Sequence, residues 1–304
     1  MSLTNRLVAI SISNAPDLNR LGYPQREVDR VLLSVCTALV RAGARIVYGG
    51  NLDPAGFTFK IFRHLAEAYA VRGPEAPFIH IVPEPVLRRV NFDDFTAMLR
   101  EARGIVETNI AFADERMVAL KAQDEDVRVL AGPSLGGDIK IQSHEALRDW
   151  LGPPGATPSE AYSAARRTMA RMTVGRVVMG GKMGLKDRPD DRYEGAMPGV
   201  IEEAILTLAG GQALFTLGAF GGAARDMAIA LKLLQPSMRV PRGPQEPSYQ
   251  PALEQIGNLA DRLPEPLRGE LSHIARDDRA EPLSFAIVRA LEKWQGLATP
   301  HVTA

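Results

Sequence analysis

The chain has 304 residues, 45% hydrophobic and 24% charged, with Lys+Arg and Asp+Glu both at 36 and a formal net charge of zero. That length supports a sizeable core in one or two domains, and the even charge excludes a global attraction for nucleic acid or for an anionic membrane. One cysteine, Cys36, excludes an internal disulfide framework and CxxC metal or redox motifs, and fits a reducing cytoplasm.

The N-terminal residues lack the cationic start, long apolar stretch and cleavage site of a signal peptide. No run of 18 apolar residues marks a membrane span, so a cytoplasmic protein is expected. Leu7-Val-Ala-Ile-Ser-Ile-Ser13 reads as a buried first strand ending in the turn formers Asn14-Ala-Pro-Asp17. Val28, Leu32, Val35 and Leu39 then repeat at helical spacing, which predicts a helix over 25–40 with Cys36 on its apolar side. Gly43 stops it, and Arg45–Tyr48 returns as a strand. A strand–helix–strand opening points to a right-handed crossover and a parallel sheet.

The alternation continues: helix 57–70, strand 78–82 closed by Pro83 and Pro85, helix 93–102, strand 104–108 and helix 114–122. Beyond Gly152-Pro-Pro-Gly155 come helix 158–172, strand 176–179, helix 198–209, strand 212–217 and helix 223–234. This is the pattern of an α/β, Rossmann-like, doubly wound and mostly parallel sheet with helices on both faces. Residues 236–250 are rich in Pro and Gly and read as a linker. A helical C-terminal extension follows over 251–304, with helices at 252–262, 266–275 and 282–294, so the expected organisation is 1–235, 236–250 and 251–304.

Glycines carry the functional argument. Arg45-Ile-Val-Tyr-Gly-Gly-Asn-Leu is echoed by Arg176-Val-Val-Met-Gly-Gly-Lys-Met, and Leu214-Phe-Thr-Leu runs into Gly218-Ala-Phe-Gly-Gly222 and a helix. Gly49-Gly50, Gly180-Gly181 and Gly221-Gly222 let backbone approach a ligand closely at strand ends. One such pair is more simply a tight turn; three predict a crevice in which N–H groups face a phosphate. Asn51 and Gly218 belong to the same loops. Lys182 is either a phosphate-binding point charge or a solvated lysine. Arg171 and Arg176 bracket the turn before the second Gly-Gly strand and point into the crevice or into solvent. Arg225 adds charge at the last helix start, beside Asp226. Ser11, Ser13, Asn14 and Asp17 end the first strand, where a doubly wound sheet binds its ligand, or else cap turns. Glu202 and Glu203, in the first turns of their helix, complement its dipole, contact a ribose hydroxyl, or act as acid or base at a glycosidic bond.

There is no GxxxxGK[ST], no intact GxGxxG, no GxSxG and no HExxH, which argues against a P-loop NTPase, an ordinary NAD dehydrogenase, a serine hydrolase and a zinc enzyme.

The stretches Val47-Tyr-Gly-Gly50, Met179-Gly-Gly-Lys182, Gly195-Ala-Met-Pro-Gly-Val-Ile-Glu-Glu-Ala204 and Phe215-Thr-Leu-Gly-Ala-Phe-Gly-Gly-Ala-Ala-Arg-Asp226 resemble the SLOG superfamily, in particular its defence-associated type, over about residues 6 to 234. The resemblance implies a Rossmann-like sheet that binds a nucleotide or an NAD- or ADP-ribose-like ligand. Some members of the superfamily hydrolyse the N-glycosidic bond of nucleoside monophosphates. They carry a proline-glycine-glycine-x-glycine-threonine-x-x-glutamate loop, where this chain has Leu217-Gly-Ala-Phe-Gly-Gly-Ala-Ala-Arg225, without the proline and with Arg225 at the glutamate position. That departure weighs against hydrolysis and for sensing, with a homo-oligomer and a separately encoded effector as the expected partners and no metal or certain cofactor.

Overall fold

The computed structural model describes residues 2–53, 55–69, 76–102, 104–123, 126–130 and 139–298. Nine strands form a mostly parallel sheet in the order β7-β6-β5-β4-β3-β2-β1-β8-β9, so the α/β, Rossmann-like expectation holds. The chain divides into two compact units, one of Met1–Ile46 with Ala170–Ala304 and the other of Val47–Met169.

The first unit is built on β1 (Leu7–Ser13), β8 (Gly175–Gly180) and β9 (Ala213–Leu217). β1 pairs parallel with β8 from Val8↔Gly175 to Ser13↔Gly180, and β8 pairs parallel with β9. Every residue of β8 and β9 is buried, which requires cover on both sheet faces. Helix α1 (Gln25–Arg41) buries Val28, Val31, Leu32, Val35, Cys36 and Leu39, a stripe of period 3.6. That stripe packs on α11 (Ala280–Ala298), whose Leu283, Ile287, Leu291 and Trp294 are buried in turn. Ser284 Oγ donates to Ser34 Oγ at 2.9 Å, and Trp294 stands edge-on to Phe215, with ring centroids 6.3 Å apart. Helices α7 (Gly199–Ala209), α8 (Gly222–Ala230), α9 (Tyr249–Gly257) and α10 (Arg268–Arg276) complete this unit.

Strand β2 (Arg45–Tyr48) carries the chain into the second unit. There α2 (Phe57–Tyr69), β3 (Phe78–Pro83), α3 (Glu84–Leu87), α4 (Phe92–Glu101) and β4 (Val106–Ala111) follow. β3 and β4 are parallel. Next come β5 (Met117–Gln123), β6 (Asp126–Leu130) and β7 (Ile139–Ile141), each antiparallel to the strand before it. Helix α5 (His144–Leu151) is capped by Ser143, and α6 (Pro158–Met172) opens with a capping box between Thr157 and Glu160.

Two expected helices are corrected. Residues 114–122 hold the β4–β5 hairpin turn and most of β5, not a helix. Val118, Leu120 and Ala122 are buried while Lys121 is exposed, a period of two. The helix expected over 223–234 ends at Ala230. Ala70, the expected end of α2, lies outside the described residues.

Candidate functional site

The carboxyl ends of β1, β8 and β9 meet in the first unit. Gly180 and Gly181 have φ of 62° and 105°, Gly221 and Gly222 of 75° and 62°. These left-handed conformations suit glycine, and space demands it as well. A methyl on Gly180 would collide with the Ser13 carbonyl, and one on Gly222 would lie 2.6 Å from both the Gly180 carbonyl carbon and the Gly181 oxygen. Gly181 N–H donates to Ser13 O at 3.0 Å, Lys182 N–H to Ser13 Oγ at 3.2 Å and Ala223 N–H to Gly181 O at 3.1 Å. The turn after β8, the start of α8 and the end of β1 are thus stitched together. Gly218 opens the short 3-10 turn between β9 and α8, and its carbonyl accepts from Gly221 N–H at 3.2 Å.

Carboxylates of the chain itself sit on this amide-rich edge. Asp17, buried, accepts from Gly222 N–H at 2.7 Å, at the N-terminus of α8. Burial raises its pKa above the ordinary value, against the opposing pull of the Gly222 N–H. Asp191, also buried, accepts from Met183 N–H at 3.1 Å and from Leu185 N–H at 2.8 Å, and burial again raises its pKa. Lys182 Nζ donates to the Arg192 carbonyl at 2.6 Å. Asn14 is exposed just past β1.

Other candidates serve the interior of the same unit. Arg176 is fully buried; its Nη1 donates to Ser11 Oγ at 2.6 Å and lies 2.9 Å from Glu203 Oε2, and its Nε donates to Thr207 Oγ1 at 2.8 Å. Ser11 Oγ also donates to Glu203, and Thr207 Oγ1 donates to the Glu203 carbonyl at 2.8 Å. Ser11, Arg176 and Glu203 therefore form one internal charge pair with its hydrogen bonds. Glu202 is half-buried in the first turn of α7, and Arg171 is exposed on the last turn of α6. Arg225 donates to Met238 O at 2.7 Å and to Gly218 O at 3.0 Å, tying the α8 start to the segment after it.

The first Gly-Gly pair belongs to the second unit. A methyl on Gly49 would lie 2.7 Å from Met169 Sδ, and one on Gly50 would collide with Tyr48 and Thr58. Asn51 is exposed, and its carbonyl accepts from Thr58 Oγ1 at 2.8 Å.

Sequence reasoning missed Asp191 and the anchoring of 236–250. Asp191 sits in Arg188-Pro-Asp-Asp-Arg192, where a proline turn with paired aspartates was the available signal. Asp226 is held by Arg242 and by the buried Tyr249, whose hydroxyl donates at 2.6 Å, so the Pro- and Gly-rich stretch is pinned to α8. Nothing local in the sequence announces that long-range pair. Among the described residues, no cluster of three His, Cys, Asp or Glu is arranged to hold a metal ion, and no helix is long and apolar enough to cross a membrane.

A family model described as SLOG cluster2 matches residues 2–262. A comparison with curated proteins finds no match.

Proposed function

The chain belongs to the SLOG superfamily, and on that premise we propose that it binds an anionic, nucleotide-derived ligand, of NAD or ADP-ribose type, at the carboxyl ends of β1, β8 and β9. Membership itself carries nucleotide-related binding or glycosidase-like chemistry. The observation that supports the finer reading is the Asp17 carboxylate on the Gly222 amide. A helix start between glycine turns attracts negative charge, and here the Asp17 carboxylate marks that preference. Burial favours the protonated form of Asp17, and a phosphate oxygen that takes over the Gly222 amide favours it further, so the ligand meets a neutral carboxyl. Lys182 beside Gly181 contributes a point charge, and Asn14 and Glu202 are the proposed ribose contacts. The engagement of Glu203 by Arg176 favours binding over glycosidic cleavage.

Calorimetry with ADP-ribose, NAD and nucleoside monophosphates tests this. Binding that Lys182→Gln weakens and Asp17→Asn strengthens is expected. Silence across the panel from folded protein overturns the proposal. Free base released from any of these ligands replaces sensing with hydrolysis.

A further inference from the structure

We infer that a cavity in the second unit, distinct from the anion site, binds an amino-bearing heteroaromatic ring of the adenine kind. The cavity holds about 430 Å³ and lies among the start of α3, the β4–β5 turn and the end of α5, a size suited to a small molecule. Phe112 and Trp150 form one corner, edge to face at 75° with centroids 5.9 Å apart. Such a corner offers a planar guest both a ring face and a ring edge. The Arg116 guanidinium stands 4.2 Å from the Phe112 centroid, extending the flat wall. Ala156 lines the cavity as well.

The polar group that gives the cavity its chemistry is Glu84, only 6% exposed. Arg88 holds it in place: Nε donates to Oε1 at 2.8 Å and Nη2 donates to the same oxygen. Arg88 also donates to Gly152 O at 2.8 Å and Leu151 O at 3.2 Å, fixing the carboxylate to the end of α5. A carboxylate accepts hydrogen bonds and offers none when ionised. It therefore selects a guest with N–H donors and rejects one presenting a carbonyl or phosphate oxygen. Asp114, 3.6 Å from Arg116, offsets that cation as Arg88 offsets Glu84, so the cavity has no net positive charge. A neutral base or nucleoside fits this balance; a polyphosphate does not.

The test is titration of the full-length protein with adenine, adenosine, unsubstituted purine and ATP, followed by calorimetry and by quenching of Trp150 fluorescence, with Trp150→Phe giving the background from Trp294. Adenine and adenosine are expected to bind, and unsubstituted purine at least roughly tenfold more weakly, since it lacks the amine from which Glu84 accepts. By Trp150 quenching, ATP is expected to bind no more tightly than adenosine. Glu84→Gln should weaken adenine by about tenfold or more. Ala156→Trp fills the cavity, leaves the Glu84–Arg88 pair in place, and should abolish adenine binding with the melting curve retained; it decides the matter if Glu84→Gln fails to fold. No adenine binding at millimolar concentration, equal binding of purine, tighter quenching of Trp150 by ATP than by adenosine, or indifference of adenine binding to Ala156→Trp each overturns the inference. Trp150 quenching and the difference made by Ala156→Trp report on the second unit, so they fail or succeed separately from the anion site of the first.

Discussion

Arg176 and Glu203 illustrate how a residue type suggests one role and its surroundings impose another. As letters, an arginine near a Gly-Gly turn and a glutamate at a helix start invite a phosphate and a sugar. In the fold, Arg176 points into the core and its charge is met by Glu203, Ser11 and Thr207. A buried pair broken on one side leaves an uncompensated charge, which costs about 3–5 kcal/mol, whereas replacing both partners by apolar groups is often neutral. Arg176→Met is therefore expected to lower the urea midpoint sharply, and the double variant Arg176→Met/Glu203→Leu to recover most of it. Equal loss in both variants would show that the pair is not coupled.

His80 gives the molecule a pH response. It is fully buried, and desolvation lowers its pKa from 6.5 to about 4. The folded chain thus keeps this imidazole neutral where the unfolded chain takes up a proton. Stability from this group is whole above pH 6.5 and is lost as pH falls towards 4, by up to about 3 kcal/mol. Denaturant titrations across that window should show the slope, and His80→Leu should flatten it. An unchanged slope in the variant would remove His80 as the cause.

Elements were legible where a local pattern and tertiary packing agree. The apolar stripe of α1, the β-branched run of β8 and the glycine turn after it were readable because a period or a φ requirement marks them. The two corrected helices failed for identifiable reasons. Residues 117–123 include Ala and Lys, good helix formers, and only pairing with β4 and β6 makes their alternation decisive. Helix α8 stops without a glycine: Lys232 adopts φ 60°, and the Leu233 N–H reaches back to Ala228 O at 2.8 Å, a left-handed cap made by a lysine. Lys232→Gly should remove that strain and raise stability by roughly 0.5–1 kcal/mol; a destabilised variant would mean that the lysine side chain contributes more than its backbone costs.

At the scale of the whole chain, the C-terminal helices are part of the first unit's core. Trp294 and Leu291 are buried, and α11 covers the apolar stripe of α1. Truncation after residue 278 uncovers that stripe and is expected to lower the melting temperature by roughly 10 °C or more, or to leave the protein insoluble. Retention of the full melting temperature would mean that α11 is an appendage. The candidate anion site was readable as glycines and a helix start, because backbone freedom leaves a mark on composition. Its occupation by Asp17, and the Asp226–Tyr249 tie, were not, because each joins positions far apart in the chain.

The pairing of β1 with β8 fixes the order of events during synthesis. β1 has β2 on one side and β8 on the other, and Val8 pairs on that second side with Gly175, so one edge of the opening strand leaves the ribosome long before its partner exists. The intervening Val47–Met169 unit emerges in that interval. A translational pause placed before residue 175 would leave the β8-facing edge of an apolar strand open to chaperones and to aggregation, while the same pause placed after residue 217 would not.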